Sequence, residues 1–369
     1  MGIGTAGATI IGMLPTLCFG AAGFLAGHVV QRIGAETTAL IAVGLAAAGT
    51  LIRPYIDHPT LFIALSALAL VGMGLGNVVG APLVKKYFPD RQAVMVTVFA
   101  LLMQAGATLP AMTAIPIANA FDWRASLAFW GLISLLAVVP WTIQLLKMRG
   151  ETTAQTNAQN AVASSTSSEQ KPGIGLLLKS PVAMGTALFY AMASLNIYAM
   201  LAWLPTILQE HLGLDRDAAG FAFSFYTFMT LPMAAITPML ANWMKNPIPL
   251  AIALAAAGPV GYLGILFGVG PAWVWALVAG LAGGAFPLAI ATFNLRTHTT
   301  MGSAALASFA MGVGYLAGTL GPFLGGWLNA ATEGWSSTLW LYVTTLVPMA
   351  IGGMMMAKPG RHLEGSFHP

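Results

Sequence analysis

One cysteine, Cys18, occurs in 369 residues, so the chain forms no internal disulfide and assembles neither a cysteine-based zinc site nor an iron–sulfur cluster. Charge is scarce too: Asp, Glu, Lys and Arg make up 7% of the residues, against roughly 25% in soluble domains. That scarcity excludes a soluble globular chain. The 15 Lys+Arg over 11 Asp+Glu leave a net charge of +4, but the cations punctuate apolar runs instead of sharing one face, which argues against a nucleic-acid partner. No apolar run carries a His/Glu metal pair, and no Ser/His/Asp set falls at one depth. Enzyme chemistry, a metal and a cofactor are therefore not expected. The glycines at Gly72, Gly74 and Gly76 have the wrong spacing for a dinucleotide fingerprint.

What abounds is apolar sequence, 57% of the chain, with a mean hydropathy of +0.79. A helix needs about 20 apolar residues to cross a bilayer, because lipid offers backbone amides no partners. Cutting the chain at charges and Pro/Gly/Asn clusters predicts spans over 4–29, 37–52, 60–84, 93–118 and 125–146. Six more follow over 182–204, 218–241, 249–267, 273–294, 303–328 and 338–356. The total is about eleven. Runs such as 61–75 are almost continuously apolar, without the alternation of an outer-membrane barrel, so the fold class is all-α integral membrane. Residues 151–170 are rich in Ser, Thr, Gln and Asn and read as flexible. The expected organisation is an N-terminal bundle over 1–146, a linker over 147–180, a C-terminal bundle over 181–357 and a tail over 358–369. The first run starts without a basic region and outlasts a signal peptide, so it reads as a permanent span.

Alternating the loops between two sides puts Arg32, Lys85, Lys86, Arg91, Lys147, Arg149, Lys171, Lys179, Lys245, Arg296, Lys358 and Arg361 together. Arg53, Arg124 and Arg216 fall opposite. Twelve against three, all 15 cations, predicts a multi-pass protein of the plasma membrane with its linker and tail cytoplasmic. Pro82, Gly106, Pro116 and Trp123 have counterparts in Pro287, Gly312, Pro322 and Trp335, in the same order. This suggests parallel repeats of six helices, the first copy lacking its opening one.

The loop after the first span reads Gly27-His-Val-Val-Gln31-Arg32-Ile-Gly34-Ala-Glu36 and resembles the signature of the major facilitator superfamily. The stretches Gly76-Asn77 to Arg91, Ala202-Trp203-Leu204-Pro205-Thr206, and Gly314-Tyr315 to Gly321-Pro322 are similar to the cyanate permease and 2-nitroimidazole transporter family. The resemblance implies a 12-helix secondary transporter working by alternating access, and it implies that this chain begins where the family's second helix does. A transport-inactive membrane protein lacking the first helix is the alternative. The signature usually has Asp where Gln31 stands and basic residues where Ala35 and Glu36 stand, so Gly27, Gln31, Arg32 and Gly34 become gating candidates with an altered lock, and Arg296, two residues past Asn294 at the cytoplasmic end of its span, is a further candidate at the inner gate.

Every Asp, Glu, Lys, Arg and His falls in a loop, a helix end or a tail, which leaves no intramembrane carboxylate for a proton relay and the coupling ion open. Neutral polar residues remain inside: Asn77, Gln104, Tyr190, Asn196, Tyr198, Tyr226, Asn294 and Tyr315, with Trp203 near a helix end. Phe189, Asn196 and Trp203 are seven apart and share a helical face, where an amide between two rings would suit a small, flat, polar solute. The same residues also serve as bonds between helices in any bundle. The partners expected are a small-molecule substrate and the lipid bilayer. Pro205, Pro287 and Pro322 are expected to bend or end helices.

Overall fold

The computed structural model describes residues 5–151, 174–363 and 365; within its helices, a few side chains, those of Gly27, Gln31, Pro82 and Asn294 among them, also lie outside the described set. The elements are α1 (Thr5–Ile33), α2 (Ala35–Ile52), α3 (Pro59–Tyr87), α4 (Gln92–Ala120), α5 (Trp123–Leu136), α6 (Val138–Glu151) and α7 (Ile174–Lys179). They continue as α8 (Pro181–Leu212), α9 (Arg216–Trp243), α10 (Ile248–Leu266), α11 (Ala272–Gly280), α12 (Ala285–Leu295), α13 (Thr300–Thr332), α14 (Ser336–Thr344) and α15 (Leu346–Ala357). Among the described residues there is no strand, and ten helical stretches are long and apolar enough to cross a membrane; α1 adds a shorter apolar stretch, Thr9–Gly23. The expected spans and the helices coincide to within about five residues, except that α8 runs on to Leu212, eight residues past the expected end. Much of the linker, 152–173, lies outside the described residues, but its flanks are helical. The end of α6 reaches Glu151, and α7 forms because Leu177 is buried in the neighbouring core.

Three spans are broken in two, and each break has a proline behind it. A proline ring clashes with the carbonyl four residues earlier. For Pro140 that carbonyl belongs to Leu136, the last residue of α5; for Pro348 it belongs to Thr344, the last of α14; for Pro287 it falls in the 3-10 turn Leu281–Gly284 between α11 and α12. Pro287 thus behaves as expected. Pro205 and Pro322 sit inside α8 and α13 without ending them.

Helix ends follow local chemistry. Ser180, Asp215 and Thr299 cap α8, α9 and α13 by accepting the amides of Ala183, Ala218 and Gly302 at 3.4, 2.7 and 2.9 Å. Gly34, at φ 83°, turns the chain from α1 into α2 in a backbone region that side chains avoid, and its carbonyl accepts both the amide and the hydroxyl of Thr38.

By contacts the chain divides into two compact units: 1–17, 97–123 and 172–369 in one, and 18–96 with 124–171 in the other. In the second unit α2 and α3 pack almost backbone to backbone, around Ala22, Ala42 and Leu75 and, further along, Ala39, Val79 and Leu83. The first unit holds two larger cores. One gathers Phe189, Leu254, Leu288, Leu306 and Met356; the other gathers Trp203, Leu204, Tyr226, Tyr262 and Tyr342. Trp123 opens α5 and Trp335 immediately precedes α14, while Pro116 and Pro322 each lie inside the preceding helix.

Candidate functional site

Helix α8 organises the first unit, and its two faces differ in kind. Phe189, Asn196 and Trp203 do share one face, and it is closed. Phe189 packs against Gly352 and Gly353 of α15; the Trp203 indole donates to the Pro322 carbonyl at 2.9 Å and lies 5.2 Å from the Trp335 ring. The Asn196 amide nitrogen donates to the Met192 carbonyl and to the Thr345 hydroxyl, both at 2.8 Å, while its buried Oδ1 has no hydrogen-bond partner. Asn196→Ala and Thr345→Val are each expected to lower thermal stability by about 1 kcal/mol, and the double variant by no more than the larger single loss, since both remove one interhelical bond. Thermal denaturation of the detergent-purified variants checks this; additive losses would show that the two side chains act apart.

The opposite face of α8 carries Tyr190, Ser194 and Tyr198, four residues apart and so on one line along the helix. Glycines on α13 receive them. Gly314 lies under the Tyr190 ring, and a methyl group on Gly318 would meet the Ser194 hydroxyl, the Thr16 methyl and the Tyr198 ring. The Tyr190 ring stands edge-on to Phe286 at 4.8 Å and to Tyr315 at 6.5 Å, with the two tyrosine hydroxyls hydrogen-bonded. On the far side of Gly318 the Thr16 and Thr319 hydroxyls lie 2.9 Å apart, and each donates toward the backbone of its own helix. The Ser194 hydroxyl is buried and unpartnered. The result is a patch of hydroxyls and aromatic faces between α8 and α13, largely buried and made up of neutral side chains.

The other sequence candidates are scattered. Tyr226 is buried and stacked on Phe223, within the second core. Gln104, on α4, is half-buried in the same unit; Asn77, also half-buried, is on α3 of the other. Asn294 lies on α12, but its side chain is outside the described set, as are Gly27 and the Gln31 side chain at the end of α1. Arg32 is exposed. The Arg296 guanidinium donates to the Ala357 carbonyl at 2.6 Å, so it caps the end of α15.

One charge at a helix end is nonetheless buried. Glu36, in the first turn of α2, is the only charged side chain in the buried class among the described residues. It is ion-paired with Lys86 and accepts the Tyr87 hydroxyl at 3.0 Å, and Tyr87 in turn accepts from Gln144 at 3.1 Å. Burial and the Glu36 carboxylate push the Tyr87 hydroxyl above its usual range, so it stays a donor.

The model of the Major Facilitator Superfamily matches residues 1–315. The chain belongs to the Major Facilitator Superfamily. It is 31% identical over 356 residues to the 2-nitroimidazole transporter of Escherichia coli, covering 96% of this chain and 87% of that one. The cyanate transport protein CynX of Escherichia coli is 23% identical over 88% of this chain and 80% of its own. The inward-open xylose transporter XylE from E. coli superposes with a TM-score of 0.69 over 97% of this chain and 88% of its own at 15% identity, a likeness of fold. This member of the superfamily is a membrane transporter of small solutes and not an enzyme. Nothing in these comparisons supports the transport-inactive reading.

Proposed function

We propose that the chain is a secondary transporter of the plasma membrane that moves a small, flat solute by alternating access of its two bundles, 1–146 and 181–357. The solute is either a nitroimidazole-like organic compound or a cyanate-like anion. Tyr190, Ser194, Tyr198 and Tyr315 form part of its path. The observation that carries this reading is the charge-free patch of hydroxyls opposite Gly314 and Gly318. Nitro oxygens and cyanate both accept hydrogen bonds from hydroxyls, and tyrosine faces cover a planar group. The names of the two relatives support the choice of solutes. The distribution of cations, twelve on one side and three on the other, supports a cytoplasmic linker and tail.

Uptake into proteoliposomes of labelled 2-nitroimidazole and of cyanate tests the reading. Tyr198→Phe and Tyr315→Phe each remove one donor and keep the ring. Each is expected to lower the uptake efficiency about three- to tenfold with unchanged protein yield. Uptake of neither solute would sink the proposed substrate class; uptake that both variants leave intact would remove the hydroxyl patch from the path.

A further inference from the structure

Arg53 follows the last residue of α2 and opens the 3-10 turn Arg53–Tyr55, against the first turns of α3. Its Nη1 donates to the Ser66 hydroxyl of α3 at 3.2 Å, and its guanidinium carbon stands 5.9 Å from the centre of the Phe62 ring. Among the described residues no carboxylate pairs with it. Its Nε is buried without a hydrogen-bond partner, while its Nη2 is neither bonded nor enclosed. One turn earlier on α2 the Thr50 hydroxyl is also without a partner, on a residue that is 4% exposed. Asp57, the nearest carboxylate in sequence, is held instead by Arg124, whose Nη2 donates to it at 2.6 Å and whose Nε donates to the Pro54 carbonyl at 3.0 Å. A second cation thus stands beside the same turn. The other carboxylates of this unit with described side chains, Glu36 and Asp90, belong to the first turn of α2 and the connection after α3. The 18 residues of α2 separate that end from Arg53, about 27 Å of helix.

We propose that Arg53 binds an anionic phosphate group at the polar boundary of the bilayer. A cation partly withdrawn from water at the end of a membrane span is costly unless an opposite charge compensates it. Ser66 engages one of the five N–H donors and leaves that charge standing. The second N–H of Nη1 and those of Nη2 form the edge with which a guanidinium grips two oxygens of one phosphate. Ser66 and the Phe62 face hold this edge in place. Its depth favours a lipid as the source. The membrane-crossing stretch runs over Ala35–Tyr55, so Arg53 occupies its last turn, at the level of the headgroups. Ile52 and Leu61 are exposed beside it, where acyl chains would cover them, and the exposed Tyr55 is the kind of ring that settles at this boundary. A lipid phosphate brings both the charge and those chains; free phosphate brings the charge alone.

Native mass spectrometry of the full-length protein, released from a phosphate-free non-ionic detergent, tests the site. Phosphatidylglycerol is the probe, and diacylglycerol with the same chains is its phosphate-free counterpart. The unmodified protein is expected to retain one phosphatidylglycerol at least about tenfold more tightly than diacylglycerol, a comparison that needs no variant. Arg53→Gln should abolish the preference. Ser66→Ala frees the guanidinium without removing its charge and is expected to weaken the preference about two- to threefold. Lys358→Gln, at a cation of the other unit, should leave it unchanged. Inorganic phosphate separates the two sources: stabilisation of the lipid-free protein by millimolar phosphate, lost in Arg53→Gln, would assign the site to the free ion, and its absence beside a phosphatidylglycerol preference would assign it to lipid. Equal retention of both lipids with no effect of inorganic phosphate overturns the proposal. So does a preference that Arg53→Gln leaves intact, or that Lys358→Gln removes to the same extent.

Discussion

Gly72→Leu is expected to leave no correctly folded protein. A side chain beginning at Gly72 of α3 would place its first carbon 2.5 Å from the Ala42 carbonyl oxygen and 2.7 Å from the Ala46 amide nitrogen of α2. Both obstacles are backbone atoms inside a helix, so neither can rotate away. The approach is reciprocal. A first carbon on Gly49 of α2 would meet the Leu65 carbonyl at 2.5 Å and the Ala69 amide at 2.7 Å on α3. In lipid there is little hydrophobic gain in bringing helices together, so their association rests on close van der Waals contact, and small residues at crossings supply it. Separating α2 from α3 loses that contact along the whole crossing and costs more than the 1–3 kcal/mol, roughly, of an ordinary overpacked core. Gly44→Leu on the same helix α2 is the control, because a side chain there meets nothing within 4 Å. Size-exclusion chromatography of fluorescent fusions should show the monodisperse peak lost in the first variant and kept in the second. A retained Gly72→Leu peak with unchanged thermal stability would mean that the two helices are not held at this distance.

The same glycines show how much of the fold is legible without coordinates. In the sequence Gly72, Gly74 and Gly76 stand two apart in an apolar run. In the structure they divide the work: Gly72 meets α2, Gly74 meets Ala22 and Phe19 of α1, and Gly76 is only in ordinary contact with Ala42. Spacing identifies small residues, but it does not say which neighbour each one admits. The spans were legible because hydrocarbon forces an unbroken apolar helix, and their internal breaks follow from Pro140, Pro287 and Pro348. The candidate site was legible only in part. Seven-residue spacing correctly put Phe189, Asn196 and Trp203 on one face, yet that face is closed by α13 and by α14 and α15. The hydroxyl patch lies half a turn away. Its signal was the spacing of four in Tyr190, Ser194 and Tyr198, matched by the spacing of four between Gly314 and Gly318; Tyr190, Tyr198 and Tyr315 stand among the polar residues inside the spans, and Ser194 does not. Thr16 and Thr319 carry no such signal, because a threonine in an apolar run gives no sign of which distant helix it meets.

Glu36 was also hidden, since a glutamate at the start of a helix usually reads as a solvated end. Its surroundings set up the second large expectation: Lys86→Met should destabilise the protein more than Glu36→Gln, although Lys86 is the half-exposed partner and Glu36 the buried one. Removing the lysine leaves a carboxylate that is 5% exposed with only the Tyr87 hydroxyl as a side-chain partner. Removing the carboxylate charge leaves an ammonium that can turn to water, and a neutral amide that still accepts from Tyr87. Breaking a fully buried pair from one side costs about 3–5 kcal/mol. The exposure of Lys86 reduces this, so a loss of about 2 kcal/mol is expected for Lys86→Met and less than about 1 for Glu36→Gln. The double variant Glu36→Gln with Lys86→Met should recover most of the difference, because no unpaired charge remains buried. Thermal denaturation followed by size exclusion measures all three. An equal loss in both single variants would mean that the pair behaves as a surface bridge. It would also remove the reason to regard Glu36, Lys86, Tyr87 and Gln144 as the structure that ties α2, α3 and α6 together beside the signature loop, in place of the carboxylate that Gln31 does not provide.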